Sequence, residues 1–222
     1  MTQVTDDFAL ARENMIEQQI RPWEVLDARV LDVFRQVPRH LHVPAPYRSM
    51  AYVDVAIPLG HGEKMMKPVQ EGRMLQALDL TGSEEILEIG TGSGFITACL
   101  ARLGGNVHSI ERHDDLASAA RQRLTEAGVA NVQIETADAL DGFEPPRRYD
   151  AIVVTGAVDS VPPRFGDWLA VGGRLFIVHG RAPLMTAALV TRTDGSHLHQ
   201  ESLFETELDY LHGAAPVAQF SL

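Results

Sequence analysis

A chain of 222 residues and 24.4 kDa, 45% hydrophobic and 22% charged, suits a single soluble domain with a core large enough to fold without staples. Its formal net charge of −11 argues against a general affinity for nucleic acid, and Cys99, its one cysteine, leaves no intrachain disulfide to form. No apolar run is long enough for a bilayer span, and the polar, acidic start from Met1 to Phe8 lacks a signal pattern, so a cytoplasmic protein with no membrane partner is expected.

Two helices are predicted first. Phe8 to Ile20 carries Leu10, Met15, Ile16 and Ile20 at helical spacing, and Arg21-Pro22 closes it. Asp27 is a suitable N-cap for Ala28 to Val37, whose Val30, Leu31, Phe34 and Val37 share a face, with Pro38 ending it. Val43 to Lys67 is rich in Pro and Gly and reads as an irregular, lid-like segment. A third helix, Pro68 to Leu78, follows.

Beyond residue 84 strands and helices alternate. Strands are expected at Glu85–Ile89, Asn106–Glu111, Val132–Glu135, Ala151–Thr155 and Gly173–His179. Helices are expected at Gly94–Arg102, Asp114–Glu126, Pro162–Leu169 and Leu184–Leu189. This alternation implies an α/β fold with a parallel sheet covered on both faces. The tail differs: Thr186–Asp194 and His199–Tyr210 have extended character around a turn at Asp194-Gly195, which suggests antiparallel strands closing one edge.

Within this frame Leu87-Glu88-Ile89-Gly90-Thr91-Gly92-Ser93-Gly94 reads as strand, glycine turn and helix start. Such a turn lets a ligand lie against bare main chain, and the following helix offers unpaired N–H groups. The third glycine comes one residue earlier than in the G-x-G-x-x-G dinucleotide pattern. An acidic residue at the end of the next strand would accept bonds from ribose hydroxyls, and Glu111 stands there; the other reading is a solvated charge. Asp138, after the strand that follows, could accept from an adenine amine or equally cap a local turn. Cys99 sits in the apolar pattern of the helix and reads as a small buried hydrophobe. The histidines form no recognisable metal motif, so no metal is expected; His197-x-His199 reads as a solvent-facing pair, and Ser93 does not sit in a nucleophile elbow.

The glycine turn with Glu111 resembles the S-adenosylmethionine site of class I methyltransferases. Met15-Ile16-Glu17-Gln18-Gln19-Ile20, Arg39 through Val43-Pro44, Ala51-Tyr52-Val53-Asp54, Tyr149 to Thr155 and Gly172-Gly173-Arg174-Leu175 narrow the resemblance to the protein-L-isoaspartate O-methyltransferase family, over about residues 8–180. The resemblance implies a Rossmann-like, seven-stranded, mostly parallel sheet with an antiparallel last strand and helices on both faces. Residues 1–83 would form an N-terminal helical and lid-like extension packed on a core of 84–222, the two making one structural unit. It implies S-adenosyl-L-methionine as cofactor, with Glu88, Gly90, Thr91, Gly92, Ser93 and Gly94 around its methionyl part. Glu111 and Arg112 would hold the ribose side, and Asp138 with Ala139 would flank the adenine. The implied activity is methyl esterification of isoaspartyl carboxylates in damaged proteins by a monomer.

On the acceptor side the family places a threonine-isoleucine-serine segment between a glycine turn and a proline. Here Gly60-His61-Gly62-Glu63-Lys64-Met65-Met66-Lys67-Pro68 puts Lys64 for the threonine and Met66 for the serine. Lys64, Met65 and Met66 are therefore the candidate acceptor-site residues. Either the lysine draws a different anionic acceptor and the methionines form an adaptable apolar wall, or these side chains are solvated and pack a lid. The end of the chain, Leu203 to Tyr210, also lacks the family's valine-proline pattern. Two alternatives thus stand beside isoaspartate methylation: a methyltransferase for another, acidic small-molecule or protein acceptor, and a cofactor-binding module without turnover.

Overall fold

A computed structural model describes residues 2–195 and 197–217. The N-terminal region holds α1 (Thr2–Met15), which runs into a π-helical turn at Ile16–Ile20, then α2 (Ala28–Gln36) and the short α3 (Arg39–His42). Asp27 caps α2 by accepting the Arg29 N–H at 2.8 Å. Val30, Leu31 and Phe34 are buried, as their shared face requires. Pro38 lies just past the end of α2, as its missing N–H dictates.

The stretch read as irregular contains order of its own. A 3₁₀ turn spans Ala45–Met50, and β1 (Ile57–Gly60) pairs antiparallel with β2 (Glu63–Met65). The connecting turn uses left-handed backbone at Gly60, His61 and Gly62. Then α4 (Pro68–Leu78) opens with Pro at its first position.

The core sheet comprises β3 (Glu85–Ile89), β4 (Asn106–Glu111), β5 (Val132–Thr136), β6 (Tyr149–Val158), β7 (Leu169–Arg181), β8 (Leu184–Arg192) and β9 (Leu198–Thr206). Their order across the sheet is β5-β4-β3-β6-β7-β8-β9. The first five in this order run parallel, and β7-β8-β9 is an antiparallel meander closing the edge. Helices α5 (Phe95–Leu103), α6 (Asp114–Glu126) and α7 (Pro163–Asp167) complete the α/β alternation. Two apolar clusters cover the sheet. Ile86, Val153 and Phe176 join Phe34, Phe95 and Cys99 in one; Leu87, Ile89, Ile152 and Ile177 join Phe165 and Trp168 in the other. Near-continuous burial of β3 and β6 is what a two-sided parallel sheet demands.

The expected helix Leu184–Leu189 is instead the first part of β8. Leu, Met and Ala favour helix locally, but pairing of β8 to both β7 and β9 satisfies its backbone and buries Met185, Ala187, Ala188 and Val190. Tertiary pairing overrides propensity here. The strand expected over His199–Tyr210 is β9, which ends at Thr206; residues 207–212 leave the sheet.

Strand order reverses at β3, because β4 and β5 lie to one side of it and β6 to the other. Ligands of open α/β sheets bind at such a switch point, beyond the carboxyl ends of the strands. Among the described residues, no helix is long and apolar enough to cross a membrane.

Candidate functional site

A cavity of about 350 Å³ opens at this switch point. Pockets for small ligands and cofactors have this size and place. One wall is the turn 90–94 between β3 and α5. The Gly90 and Thr91 N–H groups both donate to Ile110 O of β4, at 2.8 and 3.2 Å, and Gly94 N donates to Thr91 O at 2.9 Å. On the β6 side, Thr155 Oγ1 donates toward Ile89 O at 3.0 Å and Gly90 O at 2.7 Å. Gly90 has φ +94°, and a Cβ there would stand 2.3 Å from that hydroxyl oxygen. Gly92, at φ +51°, leaves main chain facing Leu59 of the β1–β2 hairpin.

Glu111 ends β4 and braces this turn. Its Oε2 accepts from Gly92 N at 2.9 Å and its Oε1 from His113 N at 3.0 Å. Each carboxylate oxygen has a second lone-pair direction, so Glu111 can still accept from a ligand hydroxyl while holding the turn. Gly90, Thr91, Gly92, Ser93, Glu111 and Arg112 all line the cavity. Asp138 and Ala139 line its far side. Asp138 does what one reading of the sequence asked, accepting the Leu140 N–H at 2.8 Å as a turn cap. Its other oxygen lies 3.6 Å from Arg112 Nε.

Glu88 departs from expectation. It does not line the cavity but lies beneath the turn, fully buried. Strand alternation gives it the α5-facing side that Ile86 occupies. There Thr97 Oγ1 and Ser109 Oγ approach Glu88 Oε2 at 2.6 and 2.5 Å, and Thr91 Oγ1 lies 2.5 Å from Ser109 Oγ. Burial outweighs these hydrogen bonds and pushes the Glu88 carboxyl up to about 8. Glu88 therefore supports the turn from below as a neutral acid, through a short chain of hydroxyls. Gly94 is also not on the cavity wall; it is the N-cap of α5 and packs on Ala120.

The opposite wall is the hairpin lip with residues 207–212. Lys64, Met65 and Met66 all line the cavity. Lys64 is neither free nor merely solvated: its Nζ stands 3.0 Å from Asp209 Oδ2, tying the lip to the segment after β9. Met65 and Met66 are buried. Gln70 on α4 strengthens the same seam, donating from Nε2 to Thr206 Oγ1 at 2.7 Å and Glu207 O at 3.0 Å. The segment itself is fixed to β6, with Ala157 N donating to Asp209 O and Leu211 N to Ala157 O, both at 2.8 Å. Under the lip the buried Arg39 makes a bidentate pair with Glu71 at 3.1 and 3.0 Å and donates to Met66 O and Ala51 O at 2.8 and 3.1 Å.

Leu59, Thr155, Leu211 and His212 are wall residues that sequence reasoning did not single out, and residues 207–210 entered it only as a departure from the family's pattern. Thr155 lay within a quoted strand; nothing in the local pattern of 207–212 marks it as a wall. At the hairpin tip His61 stacks on His113 with ring centroids 4.1 Å apart, and His61 Nε2 lies 2.9 Å from an Asp115 oxygen. These contacts join the hairpin to the loop that carries Glu111. Among the described residues, no group of three or more His, Cys, Asp and Glu side chains is arranged as a metal site. Cys99 is buried and desolvation pushes its thiol well up, so it packs and does not react.

Residues 10–207 match the family model described as Protein-L-isoaspartate(D-aspartate) O-methyltransferase. A protein-L-isoaspartate O-methyltransferase of Synechococcus sp. is 41% identical over 179 residues, covering 81% of this chain and 73% of that one. One from Geobacter metallireducens is 36% identical over 197 residues, covering 89% and 91%. Among solved structures, a Plasmodium falciparum chain described as a protein-L-isoaspartate O-methyltransferase in complex with S-adenosyl-L-homocysteine has the same fold. It gives a TM-score of 0.77 at 19% identity, covering 92% of this chain and 97% of that one.

Proposed function

The chain belongs to the protein-L-isoaspartate(D-aspartate) O-methyltransferase family, and we propose that the wall 90–94 with Glu111 holds its cofactor while the lip presents a protein carboxylate. It is an S-adenosyl-L-methionine-dependent methyltransferase that esterifies the free carboxylate of isoaspartyl residues in damaged proteins. The residues present fit that cofactor: Gly90 and Gly92 leave bare main chain at a switch point, and the braced Glu111 keeps acceptor capacity. Bound there, the cofactor supplies a methyl group already activated on a sulfonium.

The remaining work falls to the protein. A carboxylate at neutral pH is already an anionic nucleophile, so no side chain has to act as general base. Alignment of the acceptor oxygen and exclusion of water are what remain. Glu111 would accept from the ribose hydroxyls, Asp138 and Ala139 would flank the adenine, and Leu59, Met65 and Met66 form the apolar side of the lip. The observation that carries this reading is the brace from Gly92 N through Glu111 to His113 N, which fixes the turn and lines the cavity together. The N-terminal extension 1–83 and the core 84–222 act as one unit, a reading supported by the Gln70 bonds to Thr206 and Glu207. A cytoplasmic setting is the one read from composition, and a monomer is the proposed state.

One observation favours a second acceptor. Lys64 and Met66 carry no hydroxyl for the acceptor, and the Lys64 ammonium is already paired with Asp209. Transfer of labelled methyl to an isoaspartyl peptide and its aspartyl twin separates the readings. Transfer to the isoaspartyl peptide alone, lost in a Gly92→Val/Glu111→Gln double variant, is expected. Cofactor binding without transfer to either peptide would move the assignment to another acceptor.

A further inference from the structure

A second cavity, of about 180 Å³, lies on the opposite side of the glycine turn, where α2 and α3 meet α5 and α6. Its apolar lining comes from Val37, Leu41, Ala98 and Val129. Two guanidinium groups, Arg102 and Arg123, also line it. Neither forms an ion pair among the described residues: Arg102 Nη1 donates to the Gln36 amide at 3.1 Å, and Arg123 Nη1 to Ser93 O at 3.2 Å. Glu126 is the acidic lining residue, and it accepts from Gln122 Nε2 at 2.8 Å. Burial, with Arg48 nearby, depresses the Arg123 pKa, and the attraction of Glu126 offsets this only in part. In a chain with a net charge of −11, two cations beside an apolar hollow form a local exception.

We propose that this cavity binds a small monocarboxylate with an apolar body of about phenyl size, its carboxylate on Arg102 and Arg123. An engineered apolar cavity of about 150 Å³ admits benzene, so the volume suits such a body. Guanidinium forks suit a planar carboxylate. The site also touches the cofactor turn. Ser93 O accepts from both Arg123 and His42 Nδ1, the latter at 3.3 Å, and Ser93 lines the larger cavity as well. His42 is buried and its pKa falls to about 4, so it is neutral and can donate only as the Nδ1–H tautomer. A carboxylate that takes Arg123 weakens one of the two side-chain bonds to the Ser93 carbonyl, and the coupling must be reciprocal. Only this coupling rests on reading the larger cavity as the cofactor site.

Calorimetric titration of the full chain with phenylacetate tests the site. One saturable site is expected, with benzyl alcohol at least about tenfold weaker because it lacks the charge. Arg102→Gln, at an exposed position, and Ala127→Leu, which fills the cavity from its rim, should each weaken phenylacetate by about tenfold or more. No saturable binding, or binding by both variants as tight as that of the unaltered chain, would overturn the proposal. The coupling is read by titrating S-adenosyl-L-homocysteine with and without saturating phenylacetate, and a loss of about fivefold is expected. An unchanged affinity would overturn the coupling. Failure of the homocysteine compound to bind at all would instead count against the cofactor reading, with the carboxylate titration standing separately.

Discussion

The two walls of the larger cavity differ in how far along the chain each residue finds its partner. On the turn side Gly92 meets Glu111 across 19 residues and Thr97 meets Glu88 across 9, all within β3, α5 and β4. On the lip side Arg39 meets Glu71 across 32 residues, and Gln70 meets Thr206 across 136. The brace of the cofactor wall is made within one strand-helix-strand unit, with Thr155, His42 and Arg123 adding bonds to it from farther along the chain. A lip assembled from three distant segments can be rebuilt by changes in any of them, which is where this chain replaces the family's hydroxyls with Lys64 and Met66.

If that contrast is right, the largest effect on stability comes from the lip. Arg39→Met leaves Glu71 buried without its partner and frees Met66 O and Ala51 O. Such breaks cost about 3–5 kcal/mol, readable as a lowered urea midpoint. A loss below about 1 kcal/mol would show that the lip does not depend on this pair.

Gly90→Ala attacks the other wall. The new Cβ meets Thr155 Oγ1 in a left-handed backbone, and strain of about 1–3 kcal/mol is expected. Because it displaces the turn itself, cofactor affinity should fall by about 100-fold, measured by calorimetry. An unchanged affinity would mean the turn adapts and is not the rigid cradle described.

Glu88→Gln probes the support under that wall. A carboxyl held at about 8 in the folded state binds more protons there than in the unfolded chain, between its ordinary range and pH 8. Stability contributed by its neutral form is complete below the ordinary carboxylate range and is lost as pH rises toward 8. The slope is at most about 1.4 kcal/mol per pH unit. The amide removes that slope, so unfolding free energies from pH 5 to 9 should decline less in the variant. Parallel curves would refute a neutral Glu88.

The smallest effect is expected at the seam of the lip. The Lys64–Asp209 pair is about half exposed, so Lys64→Thr should cost under about 1 kcal/mol. Cofactor affinity should stay constant while KM for peptide moves. A change in cofactor affinity equal to the change in KM would erase the distinction between the walls.

How much of this was legible follows the same length scales. The turn, Glu111 and Asp138 could be read because each owes its place to a strand end a few residues away. Glu88 misled because its position in the motif is shared with true wall residues while strand alternation turns it inward toward Thr97. Leu184–Leu189 misled because its residues favour helix and only the ladder to β7 and β9 makes it a strand. The pairing of Lys64 with Asp209 was out of reach: no local pattern states that residues 207–212 return to β6 and form a wall.

The central claim, that the cofactor wall and the rebuilt lip together esterify an isoaspartyl carboxylate, is tested most directly by the identity of the methylated atom. Nuclear magnetic resonance of an isoaspartyl peptide after turnover with ¹³C-methyl cofactor should show a single base-labile ester on the free carboxylate of the isoaspartyl residue. A methyl group on any other atom, or an unmodified peptide while the cofactor remains bound, would contradict it.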